Sequence, residues 1–233
     1  MKHRTETIGS CTLRLGDCMD LMAQYPDKYF DLAIVDPPYG GGNHNMNNLL
    51  CNGIRNRSYD KANKIKEWDN APSDDYFNEL FRISKYQIIC GGNYFNLPPS
   101  RNFIIYCKEN IPETFSMAMA EFLWTNINGN SKVFKYRAKQ NKGRFHPCEK
   151  PVSLYKWLLS RYAKQGDKII DTHFGSGSLA VACNELGFNL TASEIDNDYF
   201  NAACKRIKQA WDDLEMQPGL FPETADRSAA VGE

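Results

Sequence analysis

Asp36-Pro37-Pro38-Tyr39 follows directly on the apolar run Leu32-Ala33-Ile34-Val35. A carboxylate, two prolines and an aromatic ring in that order suit the activation of a planar amino nitrogen. The exocyclic amino group of a nucleobase is a poor nucleophile because its lone pair is delocalised into the ring. If Asp36 and the Pro37 carbonyl accept its two hydrogens, the nitrogen moves toward tetrahedral geometry and its lone pair is freed for in-line attack on a sulfonium methyl. Pro37 and Pro38 fix φ and withhold two N–H donors, which holds the turn's carbonyls in a nearly rigid arrangement. Tyr39 would offer its ring face to the base. The same four residues also suit an ordinary strand-ending turn.

A second constellation lies near the other end of the chain. Gly175 and Gly177, after Asp171-Thr172-His173-Phe174, allow backbone to approach a ligand at a helix N-terminus. Glu194 stands 19 residues beyond Gly175, at the end of the next expected strand, where a carboxylate can grip ribose hydroxyls. The run Gly175-Ser176-Gly177-Ser178-Leu179-Ala180 also fits a dinucleotide fingerprint with Ala in third position. A nicotinamide-dependent oxidoreductase therefore competes as a reading, although it leaves Asp36 to Tyr39 without a role.

The elements that must position these residues alternate. A buried parallel strand is expected over 29–35, a helix over 73–84 with Ser73 as N-cap, and short strands over 87–90 and 102–107. The segments 121–127 and 132–136, separated by Asn128-Gly129-Asn130, suggest a hairpin. Leu154, Trp157, Leu158 and Tyr162 recur at helical spacing over 151–164. A strand over 168–171, the glycine loop, a helix ending at Gly187, a strand over 190–193 and a helix over 198–211 complete a doubly wound α/β pattern with a mostly parallel sheet.

Bulk properties set bounds on this plan. At 233 residues the chain suits one α/β domain, here 1–215, with no room for a fused nuclease. No segment approaches bilayer-spanning length, and Met1-Lys2-His3-Arg4 leads into polar residues, so a cytoplasmic protein is expected. The cysteines (Cys11, Cys18, Cys51, Cys90, Cys107, Cys148, Cys183, Cys204) form no CxxC pair, which speaks against a metal site or a disulfide framework.

Formal charge is zero, but it is unevenly spread. From Trp211 onward six acids face one basic residue, which leaves 27 basic against 22 acidic residues in the body. The segment 216–233 reads as a disordered acidic tail. Arg55, Arg57, Lys61, Lys64 and Lys66 lie on a Gly- and Asn-rich stretch of 40–66 that reads as a mobile loop. Lys132, Lys135, Arg137, Lys139, Lys142 and Arg144 fall in an acid-free run from 122 to 148. Both groups are candidate phosphate contacts, or else solvated basic loops.

Taken together, Asp36-Pro37-Pro38-Tyr39, Asp171-Thr172-His173-Phe174-Gly175-Ser176-Gly177 and Glu194 resemble the amino-methyltransferases of DNA, which use S-adenosylmethionine. The catalytic turn precedes the cofactor loop, as in the circularly permuted beta class. Gly16-Asp17-Cys18, with Asp17 19 residues before Asp36, and His146-Pro147-Cys148-Glu149-Lys150-Pro151 extend the likeness to about residues 10–210. The resemblance implies a Rossmann-like methyltransferase sheet with a small target-recognition insert over about 108–145. It further implies transfer of methyl to the adenine amino group in duplex DNA by base flipping, with cytosine N4, RNA or protein as alternative acceptors. Asp36, Pro37, Pro38 and Tyr39 would be catalytic. Asp17, Lys150, Asp171, Phe174, Gly175, Ser176, Gly177 and Glu194 would contact the cofactor. No metal is implied. Such a bacterial or phage-encoded enzyme would act alone or beside a separate restriction endonuclease, and relatives of this class often form homodimers. The chain departs from the family at Thr172-His173, where Asp-Pro is usual, and at Ser178, where Thr is usual.

Overall fold

Alternating side chains on strand Phe30–Val35 feed two separate cores, one on each face of the sheet. Leu32 and Ile34 point to one, with Ile88 and Ile169; Ala33 and Val35 point to the other, with Ile89 and Ile170. Residues 32–35 are each no more than 1% exposed, the signature of a strand covered on both sides. The computed structural model of the protein describes residues 4–40, 70–115, 118–137 and 149–216. The expected basic loop lies outside these residues apart from Gly40, and the expected tail apart from Met216.

In chain order the strands are β1 (Arg4–Ile8), β2 (Cys11–Leu15), β3 (Phe30–Val35), β4 (Ser84–Cys90), β5 (Phe103–Lys108), β6 (Ala120–Thr125), β7 (Lys132–Tyr136), β8 (Lys168–Asp171) and β9 (Asn189–Glu194). The helices are α1 (Cys18–Met22), α2 (Asp74–Ile83), α3 (Val152–Tyr162), α4 (Ser178–Leu186) and α5 (Asn197–Glu215), with a short 3₁₀ turn at Gly92–Tyr94. One sheet results, in the order β1-β2-β9-β8-β3-β4-β6-β5-β7. The five strands β2, β9, β8, β3 and β4 run parallel, while β6 runs antiparallel to β4 and β5. Helices α3, α4 and α5 cover one face through Leu154, Leu158, Leu179, Phe200 and Ile207. Helices α1 and α2 cover the other through Leu21, Met22, Tyr76 and Leu80. This is the expected doubly wound α/β architecture.

Local chemistry sets the helix ends. The Asp196 carboxylate accepts from the Asp198 and Tyr199 N–H groups at the start of α5. Gly187, at φ 73°, closes α4 by donating to the Cys183 carbonyl. Ser73 caps α2 by position without a side-chain hydrogen bond, and Asp74 and Asp75 supply negative charge in the first turn.

The expected hairpin of 121–127 with 132–136 is not formed. β6 and β7 lie on opposite sides of β5, and β7 pairs with β5 in parallel. The Asn126 side chain accepts from the Gln87 N–H and donates to the Lys85 carbonyl, and the Asn102 amide donates to the Ile127 carbonyl. These bonds pull the connection across the end of β5, so Asn128-Gly129 serves a crossover rather than a two-residue turn. The β1–β2 ribbon at the edge of the sheet was not anticipated from the sequence. Among the described residues no helix is long and apolar enough to cross a membrane.

Candidate active site

Parallel strands bring their carboxyl ends to one edge, and the chemistry-bearing residues stand along it. Asp17 follows β2, Glu194 ends β9, Asp171 ends β8, Asp36 follows β3 and Gly91 follows β4. The chain leaves β8 toward β9 and β3 toward β4, so the edge between β8 and β3 is the topological switch point where open α/β sheets take ligands.

At that point Asp36 is held from two sides. The Tyr39 hydroxyl donates to its Oδ1 at 2.8 Å, and the Lys150 ammonium donates to its Oδ2 at 2.5 Å. Lys150 also donates to the Tyr39 oxygen at 3.2 Å and lies 3.2 Å from Glu121 Oε2, while Lys108 lies 2.5 Å from Glu121 Oε1. Lys150 is 5% exposed, so burial pulls its pKa down, but the Asp36 charge foremost outweighs that and holds it well above the ordinary lysine value. It is a charged lysine buried among carboxylates. The resemblance places Lys150 at the cofactor; in the structure its ammonium lies against Asp36 and Tyr39, and Glu149 pairs with Arg206 at 3.0 Å.

The Tyr39 ring lies parallel to Tyr94, with centroids 4.9 Å apart and planes at 18°, and meets Phe95 edge-on. Burial, and next the neighbouring Asp36 charge, push the Tyr39 hydroxyl far above its ordinary pKa, so it stays a donor. Gly91 makes this packing possible. It sits at φ 67°, and a Cβ there would fall 2.3 Å from Tyr39 Cε1.

The glycine loop forms the neighbouring half of the site. Gly175 and Gly177 adopt φ 48° and 75°, and a Cβ on Gly177 would fall 2.7 Å from Ile207 Cδ1. The Gly175 N–H donates to Glu194 Oε2 at 3.0 Å, and the Asp196 N–H donates to Oε1 at 2.9 Å. Burial raises the Glu194 pKa against the pull of these bonds. Asp171 accepts from the His173 N–H at 3.1 Å. Its burial, reinforced by the Asp36 charge, pushes its pKa up to about 8. Asp17 is exposed and caps α1 through the Met19 N–H at 2.7 Å, beside the Gly16-to-Glu194 backbone bond that ties β2 to β9.

Two loop residues face away from this edge. Phe174 is buried and packs edge-on against Phe200. Ser176 is buried, with its hydroxyl 3.1 Å from the Ser178 hydroxyl and its carbonyl accepting from Arg206. The unusual Thr172-His173 pair has a local use. Thr172 Oγ1 shares a hydrogen bond with the Tyr76 hydroxyl at 2.6 Å and lies 3.0 Å from His173 Nδ1, which ties α2 to the loop.

Of the basic residues, Lys132, Lys135 and Arg137 are exposed on or just after the edge strand β7. Arg55, Arg57, Lys61, Lys64, Lys66, Lys139, Lys142 and Arg144 lie outside the described residues. The described cysteines are free, and no group of His, Cys, Asp and Glu able to hold a metal ion occurs among the described residues. Sequence reasoning missed Glu121, Tyr94 and Tyr76. Only Tyr94 carried a local signal, since Gly91-Gly92 after a buried strand marks close backbone approach.

A family model for DNA methylases matches residues 121–205. The type II methyltransferase M.HinfI of Haemophilus influenzae is 26% identical over 248 residues, spanning 85% of this chain and 68% of its own. The putative methylase YubD of Escherichia coli K12 is 23% identical over 212 residues, 82% of this chain and 88% of its own. The chain is thus similar to DNA methylases in sequence. The fold agrees. The M1.HpyAVI–SAM complex superposes with a TM-score of 0.57 at 19% identity, covering 84% of this chain and 99% of that one. The cytosine-N4-specific PvuII DNA methyltransferase gives 0.57 at 11% identity, covering 89% and 93%. Each of these matches is named a methylase or methyltransferase or is solved with SAM, and none is named an oxidoreductase.

Proposed function

We propose that this chain transfers methyl from S-adenosylmethionine to the exocyclic amino group of adenine in duplex DNA, after the base has been flipped out. The observation that carries it is the Asp36 carboxylate, fixed by Tyr39 at 2.8 Å and Lys150 at 2.5 Å at the switch point of the sheet. A carboxylate held in this way is already oriented as an acceptor, so the amino group meets it without a rearrangement penalty. Asp36 and the Pro37 carbonyl orient and polarise the nitrogen; Pro38 keeps the turn rigid and Tyr39 stacks on the base. Adenine rather than cytosine is read from Asp at the first position of the turn; the fold does not choose the base, since an enzyme named as cytosine-N4-specific shares it.

The residues along the edge fit the cofactor. Its sulfonium and ammonium charges suit the buried acid Asp171, its ribose hydroxyls suit Glu194, and its adenine suits Asp17. Gly175 and Gly177, with the Ser176 and Phe174 backbone, keep the loop low enough for a nucleoside to lie across it. When bound, the cofactor supplies a methyl group made electrophilic by the sulfonium. Lys150 then acts by fixing Asp36 rather than by gripping the cofactor. The exposed Lys135 and Arg137 contact phosphate, together with the basic residues of 55–66 and 139–144, and Lys132, on the other face of β7, contributes less.

The test has two parts. Sequencing that maps methylated bases in DNA from cells expressing the chain is expected to show N6-methyladenine in one short context; N4-methylcytosine would overturn the base assignment. Asp36→Ala is expected to abolish transfer of labelled methyl to DNA while cofactor binding persists, and retained transfer would overturn the mechanism.

A further inference from the structure

The catalytic turn has an aromatic partner that its chemistry does not account for. Tyr94 lies parallel to Tyr39 at 4.9 Å and 18°, yet it is 59% exposed. An aromatic ring left that open gains little from burial, so the stack is not explained by the core. The chain goes to some length to place it. Gly91 takes a left-handed φ of 67°, Gly92 lies where a Cβ would fall 2.3 Å from the Trp124 Cβ, and the Tyr94 N–H donates to the Gly91 carbonyl to close the turn. Behind it Phe95 meets both Tyr39 and Phe77. A rigid backing thus carries one exposed ring over the tyrosine that stands beside Asp36.

A base whose amino group is to reach Asp36 must lie against Tyr39, because the Tyr39 hydroxyl is itself bonded to Asp36. That face is where Tyr94 now rests. We propose that Tyr94 is the second stacking wall of the base slot: its ring covers Tyr39 in the free protein and moves onto the outer face of the flipped base when the base enters. The ligand class is a planar nucleobase bearing an exocyclic amine. The inference rests on the reading of Asp36 to Tyr39 given above. Clasping a base between two rings is favourable whatever its hydrogen-bonding pattern, since every base presents a π face. Tyr94 therefore contributes to capture of the extruded base, and Asp36 with Pro37 chooses which amino group is aligned.

The experiment measures methyl transfer from labelled S-adenosylmethionine to unmethylated plasmid DNA by the full chain and by Tyr94→Phe, Tyr94→Leu and Tyr94→Ala. Tyr94→Ala is expected to raise KM for DNA by about ten- to a hundredfold, the range for losing one base–aromatic stack, with cofactor affinity unchanged. Tyr94→Phe keeps the ring and stays within about twofold of wild type; Tyr94→Leu falls between, even where the alanine variant is poorly folded. A KM for Tyr94→Ala within twofold of wild type overturns the proposal, and so does an equal loss in Tyr94→Phe. Failure of the underlying reading looks different, because then the wild-type chain transfers no methyl to DNA or Asp36→Ala still transfers it.

Discussion

Lys150 and Asp36, 114 residues apart in the chain, meet at 2.5 Å between Nζ and Oδ2. Lys150 is buried and Asp36 half-buried at the switch point of the sheet, and Glu121 on β6 flanks the same ammonium at 3.2 Å. Removing the lysine would leave Asp36 without its countercharge and Glu121 with Lys108 alone. Lys150→Met is therefore expected to lose about 3–5 kcal/mol of stability, the range for breaking a buried pair by deleting one partner. Urea denaturation measures it. Adding Glu121→Gln in the same chain should recover part of the loss. Methyl transfer by Lys150→Arg, which keeps the charge on a bulkier fork, should fall by roughly ten- to a hundredfold, in line with one misplaced charge-assisted hydrogen bond. Unchanged stability in Lys150→Met would mean that the ammonium does not hold the carboxylate.

This pair shows where sequence reading reaches its limit. Asp36-Pro37-Pro38-Tyr39 and the glycine loop were legible because each is a contiguous segment whose backbone chemistry is fixed by Pro or Gly. The doubly wound order was legible because each strand is a short apolar run bounded by a turn or a helix. The resemblance places Lys150 at the cofactor and nothing in the sequence marks Glu121; their meeting at Asp36 depends on a strand order that places β6 beside β4. The same long-range order undid the hairpin at Asn128-Gly129. There the local turn signal was overruled by Asn102 and Asn126, which bond to backbone 25 and 39 residues away.

Asp171 supplies a pH test with a definite sign. Its folded pKa of about 8 lies above the ordinary carboxyl value, so between roughly pH 4 and 8 the folded state binds more protons than the unfolded one. Stability from this group is full below the unfolded pKa and is lost as pH rises toward 8. His173, held near 4 by burial, runs the other way between about 4 and 6.5. A comparison of wild type with Asp171→Asn isolates the acid. The variant is expected to gain in melting temperature relative to wild type from pH 5 to pH 8, and a constant difference would show that Asp171 is ionised throughout.

The same protonation bears on the cofactor. A cationic ligand bound against Asp171 favours the ionised carboxylate, so binding near pH 7 should release protons, up to one per site. Calorimetric titration of S-adenosylmethionine in buffers of different ionisation enthalpy reads that number. Asp171→Asn should release none, and equal release from both proteins would remove Asp171 from the cofactor's surroundings.

Gly91 tests the aromatic side of the site without touching a charged group. Gly91→Ala adds a methyl group 2.3 Å from the Tyr39 ring at a residue with φ 67°, so both the left-handed backbone and the contact oppose it. Tyr39 is the part that must move, since the glycine is fixed by its N–H bond to the Phe122 carbonyl. The variant is expected to lose about 1–3 kcal/mol of stability and to transfer methyl at least tenfold more slowly, with DNA binding at low salt retained. A full rate in Gly91→Ala would show that the position of Tyr39 is not critical.

The basic strip on β7 can be separated from the chemistry by salt. Strand alternation sends Lys132, Phe134 and Tyr136 to one face, where Phe134 packs on Trp157, and Val133 and Lys135 to the other. Arg137 continues the second face just past the strand. Two cations on one face of an edge strand can follow a phosphate backbone, whereas Lys132 stands on the other face. If Lys135 and Arg137 each neutralise a phosphate, Lys135→Ala and Arg137→Ala should each reduce the slope of log affinity against log salt by about one, and Lys132→Ala should reduce it less. The loss should be the same for methylated and unmethylated DNA, because phosphate contacts carry no base information. Fluorescence anisotropy of a labelled duplex between 50 and about 200 mM salt makes the measurement. A slope unchanged in the Lys135→Ala/Arg137→Ala double variant would move the DNA backbone to another face of the protein.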